Sequence, residues 1–352
     1  PYISWEIEKK ANFGIDLGLF RGRVDITADY FSNRREDILI QRVTIPTATG
    51  FRVNPWQNFG VTTNEGFDAS ITVKHNIGKD WVLSARGNVT YAVNKIVEKD
   101  EIPQAYPWLA QTGTSIGTNK IYVAEGLFTN QDFIITEKSD GSYNYKLKDG
   151  IATYAADVKP GDIKYKDLNG DGVINDNDQT YYSGIYPNNP QLVYGFGLNV
   201  QYKGIYAGVF FQGVGKRDYA PIVGTNGAVF WGAVNNIWQS MAMEEHFDYF
   251  RPEGHPMGAN LNGYYPRPDF TSNKNHQVQT RYLQDASYIR LKNLQIGYTL
   301  PKQWINKLHI NRCRVYVSGD NLWTGTSLAS MFDPETLAAG DWGSGKTYPL
   351  SK

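Results

Sequence analysis

Hydrophobic and polar residues alternate with a period of two along eight segments of the chain, the spacing that sets successive side chains on opposite faces of a strand. From Asn12 to Phe20 one face carries Phe13, Ile15, Leu17 and Leu19, and the other Gly14, Asp16 and Gly18. From Arg23 to Phe31, Val24, Ile26, Ala28 and Tyr30 oppose Arg23, Asp25, Thr27 and Asp29. The pattern returns over Phe67 to Lys74, Trp81 to Tyr91, Leu192 to Lys203 and Ile205 to Val214. A seventh segment spans Tyr288 to Tyr298 and an eighth Asn311 to Gly319; the seventh is imperfect, because Leu291 and Leu294 fall on different faces.

A soluble sandwich alternates too, so faces alone do not separate it from a membrane barrel. Connection lengths do. Segments one and two join at Arg21-Gly22, three and four at Gly78-Lys79-Asp80, five and six at Lys203-Gly204, and seven and eight through Pro301 to Ile310. Between these hairpins run three long connections, 33–63, 94–190 and 215–286. Short turns alternating with long loops are the mark of an outer-membrane barrel, whereas unstructured loops of such length count against a compact soluble domain. The expected fold is all-β, a transmembrane antiparallel β-barrel, with 94–190 and 215–286 as long extracellular loops. One strand face would then meet lipid and the other a polar lumen. Tyr30, Trp81, Tyr91 and Tyr202 fall where an aromatic girdle would sit.

Composition agrees. Aromatic residues make up 14% of the chain and there are 35 glycines, a mixture of strand formers and tight turns. Lys plus Arg and Asp plus Glu balance at 35 each, so no field of one sign would draw nucleic acid. A single cysteine, Cys313, excludes an internal disulfide or thiolate cluster. Mean hydropathy is −0.46 and no apolar run reaches helix-spanning length, which leaves spanning strands open. Pro1 begins a stretch without the basic and apolar regions of a signal peptide, the expectation for a chain that starts inside a mature protein.

The most specific local signal runs from Asp167 to Asp178 and fits a twelve-residue calcium-loop template. Oxygen ligands fall at Asp167, Asn169 and Asp171, Gly172 permits a sharp turn, and Val173 would offer its carbonyl. Asn175 would act directly or through water, and Asp178 takes the last position, where Glu is usual. Calcium is the expected ion, and fixing an extracellular excursion its expected role. The weaker signals carry little. Gly113-Thr114-Ser115-Ile116-Gly117 matches a nucleophile-elbow string but lacks its strand and helix. The five histidines are dispersed and no carboxylate pair is singled out, so no enzyme is expected. Tyr106, Trp108, Trp231 and Tyr264 sit in aromatic clusters of the long loops. They are weak candidates to stack on a substrate, and packing of loop against loop accounts for them as well.

The segments Pro160-Gly161-Asp162-Ile163-Lys164-Tyr165, Tyr194-Gly195-Phe196, Phe210-Phe211-Gln212-Gly213 and Tyr288-Ile289-Arg290-Leu291-Lys292-Asn293 carry a resemblance. Gly297-Tyr298-Thr299-Leu300-Pro301, Asn321-Leu322-Trp323, Asp333-Pro334-Glu335 and the strand entry Gly66-Phe67 fit it too. Across essentially its whole length, 1–352, the chain resembles the C-terminal barrel portion of the SusC/RagA family of TonB-dependent outer-membrane transporters of Bacteroidetes. The resemblance implies a fragment contributing about eight strands to a plugged barrel of about 22. It also implies a SusD-like surface lipoprotein as partner, TonB engaged through a region absent from this chain, and import of oligosaccharides or peptides. It places 322–352 on the extracellular side. Competing readings are a non-transporting surface barrel or adhesin, and a soluble calcium-binding β-protein.

Overall fold

The structure, a computed structural model, describes residues 3–181, 189–219, 244–269, 274–305, 309–330 and 332–337. Eight strands form one antiparallel sheet in chain order: β1 (Ile7–Leu19), β2 (Val24–Gln41), β3 (Trp56–Ile77), β4 (Trp81–Glu98), β5 (Leu192–Tyr202), β6 (Ile205–Gly215), β7 (Tyr288–Thr299) and β8 (Arg314–Thr326). The sheet is open, with β1 and β8 at its edges. Lys203 and Gly204 both have positive φ (44° and 90°), the twist that a two-residue hairpin needs.

Register turns the alternation into two surfaces. Leu17, Ile26, Ile71, Gly87, Phe196, Phe211, Leu291 and Trp323 are cross-strand partners in one continuous row. The next row on that face reads Leu19, Val24, Val73, Ala85, Leu198, Val209, Leu294 and Gly319. Between them, on the other face, run Gly18, Asp25, Thr72, Arg86, Gly197, Phe210, Asn293 and Asp320. The apolar face is open, with Phe13 68% and Val317 77% exposed, which in water would be an aggregation hazard and in lipid is a solvent-matched surface.

Aromatic rows bound this face. Near the short turns Trp81 pairs with Tyr202 and Tyr298 follows in the same row, the Trp81 and Tyr202 rings stacking at 4.4 Å. Farther up, Phe13, Tyr30, Phe67 and Tyr91 are successive partners. Trp81 and Tyr91 are ten residues apart on β4, or about 33 Å along a strand. A tilt of roughly 40° reduces that to about 25 Å, the height of an outer-membrane apolar band.

The imperfect seventh segment has a physical cause. Leu291 pairs with Phe211 and Asn293 with the adjacent Phe210, so Lys292 is the extra residue of a β-bulge. The bulge returns Leu294 to the face of Leu291. On the β8 side Asn321 adopts φ +54°, a left-handed conformation that Asn tolerates.

The loop expected over 33–63 is much shorter. β2 continues to Gln41 and β3 begins at Trp56, well beyond the outer aromatic row. The pairing shifts between Arg35 and Ile38, where Asp37 has φ +55°, and this irregularity breaks the alternation that would have revealed the strand.

The two longer connections fold together into a cap above the sheet. The first contributes the pairs Ala124–Leu127 with Ile163–Tyr165, Phe133–Glu137 with Tyr143–Leu147, and Ile121–Tyr122 with Gln179–Thr180. The second contributes Asp218–Tyr219 with Gln284–Asp285. Tyr122, Ile163, Tyr165 and Ile174 from the first share a core with Tyr219, Tyr265, Tyr282 and Ala286 from the second, and with Leu328 and Phe332 beyond β8.

Candidate functional site: the cap and its acidic loop

Gly170 and Gly172 both take left-handed φ, +76° and +82°, and fold the acidic loop tightly. Asp167 accepts hydrogen bonds from the amides of Gly170 (2.7 Å) and Gly172 (2.8 Å). Burial works to raise its pKa, but the amides of Gly172 and Gly170 outweigh that and hold the carboxyl below its usual range. Asn169 accepts from the amide of Asp171 and Asp171 from that of Val173. Asp178, fully buried, accepts from the amides of Leu168 and Asn175 and closes the loop end to end. Asn175 accepts from the Asn177 amide, and its own side-chain amide reaches the carbonyl of Val173 at 3.3 Å.

These carboxylates are therefore turned onto the loop's own backbone. Among the described residues no three His, Cys, Asp or Glu side chains form a metal-holding group. A carboxylate oxygen keeps a second lone pair when it accepts one amide, so the donor set retains the hard oxygens that calcium needs. The loop is anchored below by Ile174, 3% exposed in the cap core, and at its side by the Trp108 indole, which donates to the carbonyl of Asn177 at 2.8 Å.

The aromatic candidates divide. Tyr106 stacks on Trp108 at 4.7 Å, so this pair packs against the acidic loop. Tyr264 meets Tyr265 and Tyr282 edge-on and also lines an open cleft. Trp231 lies outside the described residues. Ser115 of the elbow-like string donates to the Asn94 carbonyl within a loop.

Two buried ionic clusters were not evident from residue pattern. Lys274, 2% exposed, contacts Asp269 at 2.8 Å, Asp157 at 2.9 Å and Asp162 at 3.5 Å. Burial lowers its pKa, but hydrogen bonds to Asp269 and Asp157 more than offset this and keep the ammonium charged. Asn275, fully buried, donates to Asp162 and accepts from the amide of Ile163, while Arg267 reaches Asp162 at 3.2 Å. The first connection is thus pinned to the second through Asp162. Its neighbour Gly161 has φ +90°, and a Cβ there would overlap the Phe250 ring.

In the second cluster Arg290 of β7 reaches Asp333 at 2.9 Å and Glu335 at 2.8 Å, and Lys292 reaches Glu335 at 2.8 Å. The bulge at Lys292 places both cations toward the segment beyond β8. At the root of the first connection Asp100 is likewise buried; it forms an ion pair with Arg42 (2.9 Å) and accepts from the amide and hydroxyl of Thr44. Burial would raise its pKa, but these bonds hold it below the usual carboxylate range. In the chain these clusters are signalled only by the strings that contain Asp162, Arg290, Lys292, Asp333 and Glu335; Arg290 and Lys292 of one string meet Asp333 and Glu335 of another, while the partners of Asp162 lie outside them.

Residues 1–322 match the model of the "TonB dependent receptor-like, beta-barrel" family. The chain belongs to that family. Among similar proteins, TonB-dependent receptor P3 of Formosa agariphila is 28% identical over 349 residues, covering 95% of this chain and 31% of the relative. TonB-dependent receptor SusC of Bacteroides thetaiotaomicron is 23% identical over 313 residues, covering 86% and 27%. The chain thus spans about a third of the length of the curated relatives it matches. The fold is shared with the RagAB peptide importer in its closed-closed state, with a TM-score of 0.66 at 22% identity over 98% of this chain and 34% of that one. As a member of this barrel family the chain lies in the outer membrane, and the apolar face between its aromatic rows is the lipid-facing surface. In such barrels the short turns are periplasmic and the long loops extracellular.

Proposed function

We infer that the chain is the C-terminal portion of the barrel of a TonB-dependent importer that takes up oligosaccharides or peptides together with a SusD-like surface lipoprotein. The carrying observation is the division of one sheet into a lipid face and a polar face, with a packed cap over its extracellular end. Such a sheet supplies wall and entrance of a lumen, while energy coupling belongs to TonB acting on other parts of the protein. Similarity to SusC and to a peptide importer supports the reading at the level of family. The polar, folded cap is the surface a lid-like lipoprotein would meet. In cells carrying the full-length gene, uptake of labelled oligosaccharide or peptide should require the receptor, TonB and the neighbouring lipoprotein; uptake indifferent to all three would sink the proposal.

We also infer that the acidic loop takes calcium through Asp167, Asn169, Asp171 and the Val173 carbonyl, with Asn175 and Asp178 completing or bracing the site. Two left-handed glycines and the oxygen-rich side chains at the template positions support it. Binding would stabilise the folded loop by mass action. Isothermal titration with calcium should give heat that an Asp171→Ala variant lacks, and equal heats would remove the site.

A further inference from the structure

Between the second long connection and the end of β8 lies an open cleft of about 550 Å³. The half-buried Tyr264 supplies the aromatic wall, with Tyr265, 2% exposed and packed on Tyr264 and Tyr282, adding little; Leu283 and Ala329 are apolar wall, and Asp248 and Asp285 bring carboxylates to it. Both aspartates are solvent-exposed. Asp248 accepts from the Asn260 side-chain amide at 2.8 Å and Asp285 from the Ser287 amide at 2.8 Å, both neutral donors. No Lys, Arg or His belongs to the described lining. Arg281 approaches the Tyr264 ring to 5.9 Å but directs its donors to the carbonyls of Tyr264 and Gly263, each at 2.6 Å.

An aromatic face carries negative charge at its centre and attracts a cation. Carboxylates beside it add charge-assisted hydrogen bonds. An anionic ligand would meet two like charges here, and a neutral sugar, although its hydroxyls can donate to carboxylates, would leave their charge unmatched, whereas a cation meets both. We propose that this cleft receives the lysine or arginine side chain of a peptide, so that the cap selects basic peptides at the entrance. The proposal rests on the import reading and narrows its cargo.

The test uses the full-length receptor in detergent and, as probe, a lysine tripeptide with blocked termini, compared with the same peptide acetylated on its side chains. Titration calorimetry should show the charged peptide binding roughly tenfold more tightly than the acetylated one, a gap that narrows as salt rises. The double variant Asp248→Asn, Asp285→Asn keeps the acceptor oxygens and should erase the difference, while Tyr264→Leu, which keeps both charges, should weaken the charged peptide several-fold. Heat-modifiable migration on gels reports that each barrel is folded. Equal binding of the two peptides, or an unchanged difference in the double variant, overturns the proposal. Cellular uptake separates this from the parent reading: uptake intact with charge-blind binding overturns the cleft alone. Absence of energised uptake of every cargo overturns the import reading and leaves the binding result to decide the cleft.

Discussion

The membrane sheet and the cap above it are stabilised by opposite means. In the sheet, neighbouring residues in sequence point to different solvents, and cross-strand rows such as Leu17, Ile26, Ile71 and Phe196 are held by a ladder that repeats every two residues. In the cap, partners lie about a hundred residues apart, as with Asp162 and Asn275, and charge is buried rather than excluded. The sheet depends on lipid as its solvent; the cap depends on ion pairs completed by long-range contact.

The largest expected effect separates the two. Lys274→Met would remove the cation shared by Asp157, Asp162 and Asp269 and leave Arg267 alone to face the last two, a loss of about 3 kcal/mol for a broken buried pair. Hydrogen exchange on the detergent-solubilised receptor should show the 121–180 and 246–286 segments opening while β1–β8 stay protected. Loss of protection in the sheet as well would mean that cap and barrel fold as one unit. The mirror experiment is Ile71→Arg, midway between the aromatic rows on the lipid face, which should cost about 2–4 kcal/mol in vesicle refolding. Ser70→Arg, one residue away on the polar face, should change stability by less than about 0.5 kcal/mol. Similar costs for both would contradict the assignment of faces.

This division also decides what could be read in the chain. All eight strands and three of their hairpin turns were legible, because a period of two is a local signal and Lys203-Gly204 names its own turn. Where a bulge interrupts the period, at Asp37 and near Asn321, the strands run farther than their alternation, to Gln41 and to Thr326. Cap pairing had no such signal. Nothing local to Lys274 announces that Asp157 and Asp162 surround it, since its partners are set by how two loops meet. The acidic loop stands between: its glycine turns were legible, but the turning of Asp178 onto the amides of Leu168 and Asn175 was not.

A further effect should appear with pH. Burial pushes the pKa of His276 down to about 4, against the opposing pull of Asp269 and with a further lowering by Lys274. The unfolded side chain titrates near 6.5, so it takes up a proton first as pH falls. The cap's stability is therefore full above that value and declines to about pH 4, by on the order of 3 kcal/mol. Protease nicking of the cap should rise across this window, and His276→Gln should flatten the curve. A curve unchanged in the variant would assign the acid sensitivity to other groups.

The smallest change tests how the acidic loop is held to the cap. Trp108→Phe keeps the ring that stacks on Tyr106 but removes the donor to the Asn177 carbonyl, a loss of about 1 kcal/mol for one hydrogen bond. If calcium binds only the folded loop, the ion offsets this loss by mass action, so the variant should be nicked near 177 faster than the parent without calcium and at a similar rate with saturating calcium. Protection by calcium in Trp108→Phe together with none in Asp171→Ala would show that the ion acts through the loop's own oxygens rather than through general screening. Equal nicking of Trp108→Phe with and without the ion would mean that the loop is held by Ile174 and its backbone ladder alone, and that the cap's organisation owes nothing to a metal.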